Sequence, residues 1–381
     1  MSPNNLKMDG HRLLEIAGPA LILIALCWNL FSSWKLYSRA GLSDPGGYPE
    51  MARASHCFYD SGMREPVPIF LTKTMLAFGA GDDRSVRLAT ALVFAAAVVL
   101  MIFLMGGIYG RVAGLAAALI FALNPYAGYY AVQGVSNLTS GLFLLLFWFL
   151  LVKGGEVRWR AAFAGAAGAL CMLTRLENLL VVLAALGVFA ALDLTKRRLR
   201  FCAAAAAISL LLTLPYLVQQ YRTFGNPVYS HAMAARFWLN TEQKGPHSVD
   251  RYKGGPMGIS AFIFRKGPAQ AGAGLLKAYG KSFFHYIPRL LYYKLLLLPV
   301  LLAGLFFLFR KKDYFTLLLL PALILPITFI STINQVSAGS GIELRFYLNA
   351  LWLLCAYCGE GIAGAAALLA RPPDLPAGQR V

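Results

Sequence analysis

Residues 86–107 read VRLATALVFAAAVVLMIFLMGG, a run in which Arg87 is the only charged side chain. A helix needs about 20 mainly apolar residues to cross the hydrocarbon of a bilayer. A helix apolar all round has no face to turn to water. The run is therefore read as a membrane span, and nine further apolar blocks can be marked out around it. The ten together are 13–34, 86–107, 111–126, 138–152, 161–174, 177–193, 200–218, 291–309, 314–333 and 345–369. Ten spans would consume roughly 200 residues, about half of the 381 present. The composition agrees: 58% of residues are apolar, 14% charged, and mean hydropathy is +0.61. Soluble domains run near half apolar with about a quarter of their residues charged. Disordered, fibrous and disulfide-scaffold classes are excluded, and an all-α, polytopic membrane protein is expected. Residues 1–369 form its transmembrane domain, and 370–381, with three prolines, a disordered cytoplasmic tail.

Lys7 and Arg12 precede the first block as in a signal peptide. The apolar run that follows is longer than a signal core and lacks a small-x-small cleavage site, so it is read as an uncleaved first span. With the N-terminus inside, the inner connections are Arg111, Lys153–Arg160, Lys196–Arg200 and Arg310–Lys312. Every short cationic connection then falls on one side, as the positive-inside rule expects. Residues 38–85 and 219–290 face outward. In the first of these, Met51, Ala54, Ser55 and Phe58 have helical spacing, so 49–60 reads as a surface helix, and Pro66–Phe78 as a second one.

Net charge is +18, from 35 basic and 17 acidic residues. On a membrane chain this reads as cationic loops against anionic lipid; no water-soluble basic stretch suits nucleic acid. The outer segment 219–290 concentrates basic residues, Arg222 to Arg289, against Glu242 and Asp250 alone. It serves either as a headgroup-facing surface or as a site for an anionic ligand. Of six cysteines only Cys57 lies outside the apolar blocks, so it is expected as a free thiol. Cys355-x-x-Cys358 has metal spacing but no second ligand pair. No P-loop, dinucleotide fingerprint, nucleophile elbow or zinc-protease motif is present. Energy for a reaction must come from the substrate or from a gradient.

The few outer carboxylates are informative. Asp44 opens Asp44-Pro45-Gly46-Gly47-Tyr48-Pro49-Glu50. Asp before Pro is an ordinary helix cap, yet the paired glycines suit a tight turn beside a ligand. Glu65 in Arg64-Glu65-Pro66 reads as a surface ion pair or a site carboxylate. Asp82-Asp83 with Arg84 and Arg87 reads as the cap of the second span. Thr174-Arg175-Leu176-Glu177 interrupts two apolar runs, where charges are expensive unless paired or facing an aqueous cleft. Arg345, in Glu343-Leu344-Arg345-Phe346-Tyr347, opens the last span and is either a snorkelling cation or a ligand. Glu360, inside that span, is a packing oddity or a pathway residue.

The order of these pieces resembles the GT-C integral-membrane glycosyltransferases, most closely the protein O-mannosyltransferase and aminoarabinose-transferase superfamily. The resemblance is carried by the Asp after the first span, Arg64–Phe70, Phe78–Leu88, Ile108–Arg111, Leu123-Asn124-Pro125, Leu173–Asn178 and Arg345–Leu348, and covers roughly residues 10–360. It implies transfer of a sugar from a polyprenyl-phosphate donor to a hydroxyl on a glycan, lipid or protein, at the outer face of what is expected to be a bacterial inner membrane. It implies Asp44 as the base or acceptor-binding carboxylate, and it places Glu65-Pro66 where relatives often carry His, Lys or Glu before Pro. Where many members have a second acid at the start of the fourth span, this chain has Asn137. No cofactor is assigned, and a divalent metal stays open. Chemistry then distributes the roles. Asp44 and Glu65 are the catalytic carboxylates, while Arg175, Arg345 and Lys73 hold the donor phosphate. Tyr48, Glu177, Asn137 and Tyr347 complete the candidates. Two rivals stay open: a flippase or transporter for a lipid-linked sugar, and a non-catalytic assembly subunit. Ionisable residues gathered at the outer edge favour the enzyme, since transporters place them near the midplane.

Overall fold

The computed structural model describes residues 10–42, 47–153, 158–229, 258–333 and 342–370, and every regular element among them is helical. The chain runs through α1 (Gly10–Tyr37), α2 (Tyr48–Ala54), α3 (Pro66–Ala77), α4 (Asp82–Tyr109), α5 (Arg111–Leu123) and α6 (Pro125–Val132). It continues through α7 (Ser136–Val152), α8 (Arg158–Thr174), α9 (Asn178–Ala191) and α10 (Lys196–Phe224). After the undescribed stretch come α11 (Ile259–Lys266), α12 (Pro268–Lys281), a π-helical turn Ser282–Tyr286, and α13 (Ile287–Leu290). The chain closes with α14 (Lys294–Arg310), α15 (Tyr314–Ile333), α16 (Ile342–Phe346) and α17 (Leu348–Leu369).

Each of the ten apolar blocks is helical, with 111–126 divided between α5 and α6 and 345–369 between α16 and α17. Four of these, α1, α4, α10 and α17, are by themselves long and apolar enough to cross a membrane, and two bent pairs bring that to six. The apolar helices α7 and α9 are shorter. A girdle of exposed apolar side chains, among them Leu23, Trp28 and Phe31 on α1, Leu211 on α10 and Leu302 on α14, fits lipid rather than water. The all-α polytopic membrane architecture is thus borne out.

α17 is the axis of the bundle. Its residues Leu348–Gly361 are buried throughout, packed between α5, α7 and α14. Small residues let these backbones approach, as helices in lipid commonly do. A Cβ on Gly304 would collide with the carbonyl oxygen of Tyr357, and one on Gly361 with that of Val300. Trp148 packs against Trp352 with ring centroids 5.7 Å apart and the rings tilted by 53°. At the Arg310–Lys312 end, Tyr109 donates to Asp313 and Thr316, Trp148 Nε1 donates to Thr316 Oγ1 at 3.0 Å, and Tyr357 donates to the Thr316 carbonyl at 2.6 Å. Glu360, fully buried, is ion-paired with Lys311.

Four expectations need correction. The helix expected over 49–60 stops at Ala54, where Ser55 turns to extended backbone (φ −68°, ψ 128°). The span expected over 111–126 breaks at Asn124, which caps α6 by accepting from Tyr126 and Ala127, and the axis turns by 57°. Asn29 holds that break by donating to the carbonyls of Ala122 (2.7 Å) and Asn124 (2.9 Å). Residues 219–290 are not simply a loop: α10 runs on to Phe224, and Tyr286, Ile287 and Leu290 enter the main core. Arg87 does not help to cap α4; it is buried at 2% exposure. The expected tail after residue 370 lies outside the described residues. Cys57 is an exposed free thiol.

Candidate active site

The turn between α8 and α9 is where the charged candidates gather. Arg175 and Glu177 interrupt the apolar runs, and Asn178 fixes the turn by donating to Ser140 Oγ (2.7 Å) and to the Cys171 carbonyl (2.8 Å). The Arg175 Nε donates to Glu177 Oε1 at 2.6 Å, a charge-assisted pair that is only 13% and 22% exposed. Its Nη1 reaches the first turn of α7, donating to Ser136 Oγ at 3.0 Å and to Asn137 Oδ1 at 3.3 Å.

Glu65 arrives from the first outer segment. It precedes Pro66 at the start of α3 and makes no side-chain cap there. Its carboxylate instead accepts from the Leu176 backbone N–H at 3.1 Å, stitching α3 to the α8–α9 turn. Burial raises the Glu65 carboxyl above its ordinary value; Arg175 opposes the shift and Glu177 adds to it. A carboxyl raised this way takes up a proton more readily than a surface glutamate.

Arg345 enters through α16. Its guanidinium lies 5.2 Å from the centre of the Phe346 ring, and that of Arg175 lies 5.5 Å from the same ring, so one buried phenyl ring attracts both cations. Tyr347 is fully buried, stacked on Tyr286 at 4.9 Å and hydrogen-bonded to Ser282 at 2.6 Å. It anchors α16 to the π-helical turn. Asn137, also fully buried, donates to Asn349 at 3.5 Å.

Five candidates named from the sequence thus meet: Glu65, Asn137, Arg175, Glu177 and Arg345. Arg175 faces Glu177 and lies near Glu65, and Arg345 shares the Phe346 ring with it. The starts of α3, α7 and α9 add the partial positive charge of helix N-termini, so the cluster can receive an anion. Tyr48 lies apart from this ion pair but near it: it lines a small crevice with Thr72, Thr90, Gly134 and Ser136, and Ser136 is the Arg175 partner. Lys73 is engaged elsewhere, donating to the carbonyl and hydroxyl of Ser55, two turns along α3 from Glu65. Asp44 lies outside the described residues, between Leu42 and Gly47, and so does the Glu343 side chain. Ser136 and Phe346 were not singled out from the sequence; only the contacts reveal them.

At the start of α7, Asn137 supplies a neutral amide whose oxygen faces the Arg175 guanidinium. Among the described residues no group of three or more His, Cys, Asp or Glu gathers.

Comparison with known proteins bears on this cluster. Residues 64–218 match a family described as dolichyl-phosphate-mannose-protein mannosyltransferase. That stretch contains Glu65, Asn137, Arg175 and Glu177. No curated protein matches. Among solved structures the chain is similar to ArnT from Cupriavidus metallidurans bound to undecaprenyl phosphate, with a TM-score of 0.53 and 16% identity. The similarity covers 93% of this chain but 63% of that one, so the chain spans less than two thirds of ArnT. The family match supports the resemblance to GT-C membrane glycosyltransferases, and the structural similarity supports the fold that it implied.

Proposed function

We propose that the protein is a GT-C-type membrane glycosyltransferase that moves a sugar from a polyprenyl-phosphate donor to a hydroxyl acceptor at the outer face of the membrane. The glycosyltransferase class itself has the support of the family match and of the ArnT-like fold. The finer reading rests on one observation above all: Arg175 and Arg345 share Phe346 and are joined, through Arg175, to the start of α7. A lipid phosphate must present its head at the water–lipid boundary, and planar guanidinium groups bind phosphate with parallel hydrogen bonds. The ArnT structure holds undecaprenyl phosphate, which is chemistry of the same kind.

In this reading the acceptor hydroxyl attacks the anomeric carbon as the bond from that carbon to the donor phosphate oxygen breaks. Polyprenyl phosphate leaves with growing negative charge, which the two arginines and the α7 N-terminus stabilise. The hydroxyl proton passes to a carboxylate, assigned to Asp44 with Glu65 as the second carboxylate. Glu177 holds the Arg175 guanidinium until the phosphate competes for it. The topology of this reading has both termini cytoplasmic and residues 38–85 and 219–290 outside. Reporter fusions at Lys196 and Lys253 should report opposite sides, and the same side for both refutes it.

Glu360 was the one residue that favoured a transporter. Its pairing with Lys311, beside the Asp313–Thr316 hydrogen bonds, makes it a tie between α14 and α17 at the inner end of the bundle. The functional test is direct: purified protein supplied with polyprenyl-phosphate sugars should release polyprenyl phosphate in step with acceptor glycosylation. Loss of both on Arg175→Ala, with the fold retained, is the expected control.

A further inference from the structure

Arg87 is a buried cation whose two Nη atoms are held by backbone carbonyls, while its Nε is buried without a partner. Its Nη1 donates to the carbonyls of Val132 (2.6 Å) and Tyr37 (3.3 Å), and its Nη2 donates to the carbonyl of Ala40. Tyr37 ends α1 and Val132 ends α6. The last carbonyls of a helix have no donor within the helix and carry the negative end of its dipole. One guanidinium therefore serves two helix ends and the turn beyond one of them. A buried charge is costly unless it is hydrogen-bonded, and here the partners are three carbonyls from two chain segments.

What those segments lead to gives the arrangement its meaning. Ala40 is followed by Leu42, which packs with Tyr48 and with Val86, the neighbour of Arg87. Val132 is followed by Gly134 and Ser136. Gly134 has φ +71°, and a Cβ there would lie 2.6 Å from Val86 Cγ1, so this link is pressed against α4 beside Arg87. Ser136 in turn accepts from Arg175. The stem of the first outer segment and the stem of the arginine cluster are thus tied to one side chain.

We propose that Arg87 is a positioning residue that fixes the first outer segment against the Ser136–Asn137–Arg175 group. The proposal rests on the transferase reading for its kinetic consequence, but not for its structural one. Arg87 does not touch substrate; it acts through the two stems. Lysine cannot replace it fully, because a single ammonium cannot reach carbonyls in two directions as a guanidinium fork does.

The test uses the full-length protein in detergent with Arg87→Lys and Arg87→Gln. Amide hydrogen exchange at residues 37–42 and 132–136 should rise about 10-fold or more in Arg87→Gln and less in Arg87→Lys, while α17 stays protected. With a polyprenyl-phosphate sugar, kcat should fall by about 100-fold, as a misplacement of order 1 Å can cause. KM for the donor should stay within about threefold, because Arg175 keeps its own partners, and Arg87→Lys should recover part of kcat. Unchanged exchange in both stretches overturns the proposal, as does a rise in KM that accounts for the whole loss. If Arg87→Gln does not fold, Arg87→Lys carries both readouts. If the wild type turns over no polyprenyl-phosphate sugar, the transferase reading fails and the exchange measurement still decides the proposal.

Discussion

Replacing Arg175 by alanine removes three hydrogen bonds at 2.6, 3.0 and 3.3 Å and a ring contact at 5.5 Å. Hydrogen bonds to charged groups net about 1.5–3 kcal/mol each. The Glu177 pair is partly exposed, so its share lies toward the low end. Taken at the low end for all three, loss of the internal partners should therefore cost about 4 kcal/mol of stability. Loss of one guanidinium–phosphate contact is smaller, about 1.5–3 kcal/mol, or about 10- to 150-fold in affinity. Glu177→Gln separates the two effects. It weakens the internal pair as well, but it also removes the anion that competes with phosphate for Arg175. Binding of undecaprenyl phosphate to purified protein should weaken about 10- to 150-fold in Arg175→Ala, weaken less in Arg175→Lys, and hold or tighten in Glu177→Gln. Equal weakening in Arg175→Ala and Glu177→Gln would mean that Arg175 only props up the turn, and the phosphate assignment would fall.

Three further outcomes are expected. Glu65 has a raised folded-state pKa, so the stability its proton confers is full below the unfolded value of about 4.3 and is lost as pH rises through the raised value. Glu65→Gln mimics the protonated form, and its unfolding midpoint relative to wild type should climb from acid to neutral pH; a falling difference contradicts the burial argument. Gly304→Ala should lower stability by about 1–3 kcal/mol or more, read as detergent thermal unfolding, because its Cβ meets the Tyr357 carbonyl; a neutral result would mean that α14 and α17 part without cost. Asp44→Asn should lower turnover about 100-fold or more, whereas Glu360→Gln should lose only stability through its Lys311 tie. The reverse pattern hands the function to a transporter.

Much of this was legible because charge is so scarce in the sequence. Arg175, Glu177 and Arg345 were visible as charged residues at the edges of apolar runs, and Glu65 and Asn137 through the family resemblance; these are the residues that the fold gathers. The apolar blocks likewise fixed where helices form. Arg87 was misread because proximity to Asp82-Asp83 in sequence suggested a cap, while its actual partners are carbonyls 45 to 50 residues away. Asp82 meanwhile pairs with Arg53. The break at Asn124-Pro125 was missed inside the expected 111–126 span, because Asn29 on another helix holds it. Phe346 escaped notice since nothing local distinguishes a phenyl ring that two arginines will share. The basic segment before α14 hid a core contribution, since Tyr286 and Leu290 lie among cationic neighbours that masked them.

The central claim is sugar transfer from a lipid phosphate, and reconstitution tests it most directly. Purified protein in proteoliposomes would be given a panel of undecaprenyl-phosphate sugars and candidate hydroxyl acceptors, with free undecaprenyl phosphate and glycosylated product measured together. The account predicts equimolar appearance of both for at least one donor, abolished in Arg175→Ala and strongly reduced in Asp44→Asn. Movement of an intact lipid-linked sugar across the bilayer, with no undecaprenyl phosphate released, would contradict it.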